Sequence, residues 1–139
     1  MKKKMNIVIV GLGNIGSHFY NYLKINKDII YNKTNTIPNI LFVSSRSFVK
    51  KRNFPLSKKI WLKDCLLATK NKNVDIIIEL IGGAEGTAKK LVFEALKNKK
   101  HIITANKALV AKYGDQLAKI AEKNKVNFEF EAAVCGGIP

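Results

Sequence analysis

Gly11-Leu12-Gly13-Asn14-Ile15-Gly16 reproduces the pattern G-x-G-x-x-G, directly after the apolar run Asn6 to Val10 and directly before Ile15, Phe19, Tyr22 and Leu23 at helical spacing. Strand, turn and helix in that order give the pattern its chemistry. Gly11 permits a tight turn, Gly13 lets backbone approach a pyrophosphate without a Cβ in the way, and Gly16 lets the helix pack close to the strand. The N–H groups that open the helix then face the phosphates. The alternative is a glycine turn with no ligand. A second group of residues closes the next apolar run, Ile40 to Ser44, as Ser44-Ser45-Arg46-Ser47. A carboxylate at such a strand end binds the ribose 2′-hydroxyl of NAD, whereas a basic residue suits the 2′-phosphate of NADP. There is no carboxylate here. Arg46 offers a forked donor, so NADP is the expected cofactor, with NAD left open. Lys50, Lys51, Arg52, Lys58 and Lys59 lie nearby, and for most of them a solvated basic loop is the simpler reading.

These residues need a scaffold, and the rest of the chain supplies the pattern for one. Val74 to Leu80 is an apolar run suited to a strand buried on both faces, and it ends in Gly82-Gly83. Thr87 to Lys97 places Ala88, Leu91, Val92, Ala95 and Leu96 on one helical stripe. His101 to Thr104 reads as a strand, Lys112 to Lys125 as a helix, and Val126 to Phe130 as a strand with one wetter face. Between the first two strands, Ile25 to Asn39 lacks a period and contains Pro38, so it reads as a helix end and a long loop. Arg46 to Ser57 reads as a surface loop, and Ile60 to Thr69 as a short amphipathic helix with Trp61 and Leu62 inward. Strands alternate with helices, which predicts an α/β fold: a Rossmann-type doubly wound parallel sheet forming one dinucleotide-binding domain over 1–139.

The second half carries a more specific signal. The segments VDIIIELIGG (74–83), HIITANKALVAKYGDQL (101–117) and FEAAVCGGIP (130–139) resemble, in order and spacing, the nucleotide-binding half of homoserine dehydrogenase. Thr104-Ala105-Asn106-Lys107 and the stretch Glu131 to Pro139 are the most specific parts. The resemblance implies NAD(P)-dependent interconversion of homoserine and aspartate 4-semialdehyde, on the route to threonine, methionine and isoleucine. It makes Lys107 the lysine between nicotinamide and substrate, contacting both. It also implies a monovalent cation such as sodium, held by Glu131 and by backbone carbonyls at Val134, Gly136 and Ile138. Read from the residues alone, Glu131 is equally a solvent-facing strand end and Gly136-Gly137 a plain turn. Cys135 departs from the small residue usual in the family. Family members continue into a second domain that supplies dimerisation and most of the substrate pocket. That portion is absent from these residues, so this chain is expected to supply the cofactor half and to be inactive alone.

Composition bounds the remaining classes. The 139 residues hold 25 basic and 10 acidic side chains, a formal net charge of +15. That excess invites an anionic partner. However, 23 Lys, 14 Asn and 17 Ile point to A/T-rich codon usage as a source of the basicity, and the basic half carries no nucleic-acid recognition motif, so no nucleic-acid partner is expected. No apolar run reaches the roughly 20 residues of a membrane span, and no membrane partner is expected. Cys65 and Cys135 form neither a disulfide framework nor a metal-ligand spacing, which suits a reducing cytoplasm. His18 and His101 have no companions for metal or base work, and Cys65 reads as packing. The rival from another class is a nucleotide-sensing regulatory Rossmann module without catalysis. It shares the glycine turn but gives no reason for Thr104 to Lys107.

Overall fold

A computed structural model describes residues 3–52 and 54–134. Among the described residues six strands form one sheet in the order β3-β2-β1-β4-β5-β6, and every neighbouring pair is parallel. The strands are β1 (Lys3–Val10), β2 (Thr36–Ser44), β3 (Trp61–Leu62), β4 (Ile76–Glu79), β5 (His101–Thr104) and β6 (Phe128–Glu129). Connecting them are α1 (Asn14–Ile25), α2 (Lys27–Thr34), α3 (Leu67–Lys70), α4 (Thr87–Lys97) and α5 (Lys107–Asn124). The order reverses at β1, and this places a ligand crevice at the carboxyl ends of β1, β2 and β4.

Strand alternation sorts the core into two layers. Val8, Val10, Ile77 and Ile102 pack with Leu91, Val92, Ala95 and Leu96 of α4 and with Leu109, Leu117 and Ala121 of α5. Ile7, Ile9, Val43 and Ile78 face the other way, onto Tyr20 and Leu23 of α1. Because both faces are covered, β1 and β4 need no polar alternation, which is why their sequences are continuous apolar runs. Each fully buried Ile or Leu contributes roughly 1.5–3 kcal/mol through the water it sheds.

Three expectations fail in the first half. Ile25 to Asn39 is not a long loop: α2 occupies Lys27–Thr34 and stops at Asn35, which takes the left-handed conformation at φ 52°. None of its residues is buried, so it has no apolar stripe to read. The second strand starts at Thr36 and includes Pro38. Proline is tolerated because β3 pairs β2 only at Val43 and Ser44, leaving the outer edge near Pro38 without a ladder to break. The predicted helix at 60–69 is instead a 3-10 turn at Lys58–Ile60, the strand Trp61–Leu62 and the short α3. Trp61 lies alongside Val43 in the sheet, so pairing overrides the helical spacing. The helix expected at 112–125 starts at Lys107, and the strand expected at 126–130 shrinks to Phe128–Glu129.

Candidate functional site: the glycine turn and its flanking strand ends

The space around each glycine of the turn explains its identity. A Cβ on Gly11, whose φ is +103°, would lie 2.6 Å from the Leu80 carbonyl oxygen at the end of β4. A Cβ on Gly16 would lie 1.8 Å from the Gly11 carbonyl oxygen. Both contacts are with backbone, which cannot rotate away. A Cβ on Gly13 would meet nothing within 4 Å. Packing therefore gives no reason for glycine at Gly13, and the space in front of it belongs to the cleft. Gly13 also caps α1 without a side-chain bond, leaving the first N–H groups of the helix to an outside acceptor. An anionic dinucleotide fits this cradle.

Two adjoining clefts share this turn. One, of about 490 Å³, is walled by Gly11, Leu12, Gly13, Ser45, Arg46 and Ile81, among others. Its neighbour, about 370 Å³, includes Leu12, Gly13, Asn14, Lys50 and Lys51. The predicted residues Gly11, Leu12, Gly13, Asn14 and Arg46 are thus brought together. Ile15 is not: its side chain is 67% exposed on α1 and lines neither cleft. Gly16 is buried beneath the turn and shapes it from within.

The two arginines divide their work. Both line the larger cleft, Arg46 as an exposed side chain. Arg52 folds back on its own loop: Nη1 donates to the carbonyls of Phe48 and Lys50, both at 3.0 Å, and Nη2 donates to Ser47 O at 2.8 Å and Ser45 Oγ at 3.0 Å. The Ser45 hydroxyl donates to Ser47 O and also accepts from Trp61 Nε1. It therefore holds the loop together while Ser45 lines the larger cleft. Lys58 sits over the Phe48 ring, 5.6 Å from its centroid, away from both clefts.

Lys107 is the exposed first residue of α5, following the buried Asn106 whose side chain caps the helix by accepting from Leu109 N at 3.1 Å. The cap fixes where Lys107 leaves the carboxyl end of β5. Lys107 lines neither of the two clefts. Of the cation group, Glu131 is exposed at the start of a 3-10 turn, Glu131–Val134. Gly136 and Ile138 lie outside the described residues. Among the described residues no three of His, Cys, Asp or Glu group to hold a metal ion.

Sequence reading missed a polar cluster at the start of α4. Lys112, Lys89 and Tyr113 all donate to the Glu85 carboxylate, Lys112 at 2.6 Å and Lys89 at 3.1 Å. These bonds, Lys112 foremost, hold Glu85 at about 2, below its ordinary 4.5. Its ionised form is therefore favoured by folding, and the tie between α4 and α5 that it makes is intact above about pH 4.5 and lost as pH falls towards 2. A carboxyl carbon NMR titration should place the Glu85 midpoint near 2 and move it upward in Lys112→Ala. A midpoint at the ordinary glutamate value in the unaltered chain would rule out the cluster. Cys65 is buried, and desolvation first, then the charge of Asp64, raises its thiol pKa. This thiol packs and does not attack.

No helix among the described residues is long and apolar enough to cross a membrane. Residues 11–131 match the family model described as the NAD-binding domain of homoserine dehydrogenase. A homoserine dehydrogenase of Neisseria gonorrhoeae is 39% identical over 137 residues, covering 99% of this chain and 31% of that protein. Its Bacillus subtilis counterpart is 36% identical over the same proportions. A crystal structure of the Staphylococcus aureus homoserine dehydrogenase superposes with a TM-score of 0.89 at 38% identity, covering 99% of this chain and 34% of that one. The chain thus spans about a third of the length of the relatives it matches.

Proposed function

This chain belongs to the homoserine dehydrogenase family, matching its NAD-binding domain, and from that premise we propose that residues 1–139 form the cofactor-binding unit of a cytoplasmic, NADP-preferring homoserine dehydrogenase. The observation that carries the reading is the turn itself: backbone fills the Cβ space at Gly11 and Gly16, while Gly13 opens onto a cleft that Arg46 lines. The preference for NADP rests on Arg46, the exposed arginine of the cleft; Arg52 lines it too, but both of its terminal nitrogens are bonded to its own loop. When bound, the cofactor supplies the hydride that interconverts aspartate 4-semialdehyde and homoserine. Lys107 then hydrogen-bonds the substrate oxygen on which charge develops. Glu131 and the carbonyls of Val134, Gly136 and Ile138 would hold a monovalent cation, a hard ion matched to oxygen donors. The substrate pocket and the dimer contacts come from sequence beyond these elements, and the 139 residues alone give no turnover in an NADPH-oxidation assay.

Isothermal titration of the 139-residue chain with NADPH and NADH tests the cofactor reading. NADPH should bind more tightly. Arg46→Ala should weaken NADPH by about 1.5–3 kcal/mol, the size of a hydrogen bond to a charged group, and leave NADH nearly unchanged. Equal affinities for the two cofactors in the unaltered chain would remove the 2′-phosphate role of Arg46.

A further inference from the structure

Glu79 closes β4 and is fully buried. It stands in register with Val10, the last residue before the glycine turn, and with Thr104 at the end of β5. Among the described residues it has no ion-pair partner; the described ion pairs involve Glu85 and Glu94. Instead its Oε1 accepts from the backbone N–H groups of Ile81, at 2.8 Å, and Gly82, at 2.9 Å. Its Oε2 accepts from the Thr104 hydroxyl at 2.5 Å. The Thr104 oxygen accepts in turn from Asn106 N at 3.0 Å, and Asn106 Nδ2 donates to the Gly83 carbonyl at 2.7 Å. The bonds close a ring that joins two turns: the exit of β4 over 80–83 and the exit of β5 over 104–107.

Burying a carboxyl group among apolar strands is costly unless its bonds are satisfied, and a leucine here would avoid the cost. What the leucine would not do is hold the two exits at a fixed separation. One exit presses on the glycine turn through the Leu80 carbonyl and gives Ile81 to the cleft wall. The other carries Asn106 and Lys107. We propose that Glu79 is a positioning residue for the nicotinamide side of the cleft, setting the Ile81–Gly82 turn and the start of α5 in one rigid unit. Ile81 shares its cleft with Arg46 at the end of β2, but the hydrogen bonds of the ring run between the exits of β4 and β5 and reach neither β2 nor Arg46. The proposal rests on the reading of the cleft as a dinucleotide site.

Glu79→Gln is the direct test, because the amide keeps the shape and reverses one half of the chemistry. The better orientation of that amide keeps its oxygen on the two backbone N–H groups and turns its –NH₂ to the Thr104 oxygen, so the charged acceptor is lost and the Thr104 hydroxyl proton is left without its carboxylate. NADPH and adenosine 2′,5′-bisphosphate, which lacks the nicotinamide half, are titrated into the unaltered chain and the variant. Glu79→Gln should weaken NADPH about tenfold, the value of one hydrogen bond to a charged group, and leave the bisphosphate within about twofold. Thr104→Val, which removes the hydroxyl, should do the same, and Thr104→Ser, which keeps it, should not. The Thr104 pair decides the matter if Glu79→Gln does not fold. Equal weakening of both ligands, or no change in either, overturns the positioning role while leaving the dinucleotide site intact. Failure of the unaltered chain to bind either ligand overturns the reading of the cleft and the proposal with it.

Discussion

Gly16→Ala should fail as a fold before it fails as a binder, and Gly13→Val should do the reverse. The alanine methyl at Gly16 would sit 1.8 Å from a backbone oxygen, so the start of α1 or the turn must move, and neither can move alone because Gly11 N is bonded to Ser44 O at 2.9 Å. An overpacked site of this kind costs about 3 kcal/mol, the upper end of the usual range, which lowers Tm by about 10 °C in a domain of this size. Gly13 has no such neighbour, and its φ of −75° suits any residue. Valine there should cost at most about 1 kcal/mol, the preference for glycine over valine at a helix N-cap. Its side chain nevertheless occupies the space in front of the helix N–H groups. Cofactor affinity should fall roughly 10- to 150-fold, as charge-assisted bonds to phosphate are lost. Thermal melts and cofactor titrations on the two variants separate these outcomes. A Gly13→Val chain that binds as well as the parent would mean the dinucleotide does not cross the turn.

Lys107→Ala should lose turnover far more than cofactor affinity. Removing one electrostatic donor at a developing oxyanion costs about 10²- to 10³-fold, and the loss should be read on a chain that spans the length of its relatives and carries these residues. The control must remove a positive charge from the same helix without removing a contact. Lys112 does not qualify, because it bonds Glu85 and lies 5.4 Å from the Tyr113 ring centroid. Lys119, exposed on α5, does. Similar kinetics for Lys107→Ala and Lys119→Ala would reduce Lys107 to a surface residue, and the substrate oxygen would need another donor.

The elements legible in the sequence are those whose burial is written into consecutive residues. β1, β4 and β5 are covered on both faces, and α4 and α5 present a broad stripe to the sheet. What escapes is decided by partners far away in the chain. Trp61–Leu62 is a strand only because Val43 and Ser44 lie beside it. Pro38 sits in a strand only because the outer edge there is unpaired, and α2 buries none of its residues. The site divides the same way. The glycine turn is local and was readable from spacing. The separate duties of Arg46 and Arg52 depend on which one turns back into its loop, a choice that composition does not encode. The ring around Glu79 depends on the alignment of β4 with β5. Its only trace in the sequence is one acidic residue closing an otherwise apolar strand.

The place of β1 in the sheet has a consequence for how the chain is made. It precedes the other described strands in the chain, yet it lies between β2 and β4, so Ile9 is covered on both sides only after Ile78 has emerged. Parallel pairing across such separations is slow compared with local contacts. Until then, Ile7 to Val10 is a short β-branched segment open to edge-to-edge association with other nascent chains. Lys3 and Lys4, exposed at its amino end, act as gatekeepers, placing like charges wherever two such strands would align. Of the described strands with two neighbours, β1 waits longest for its second one.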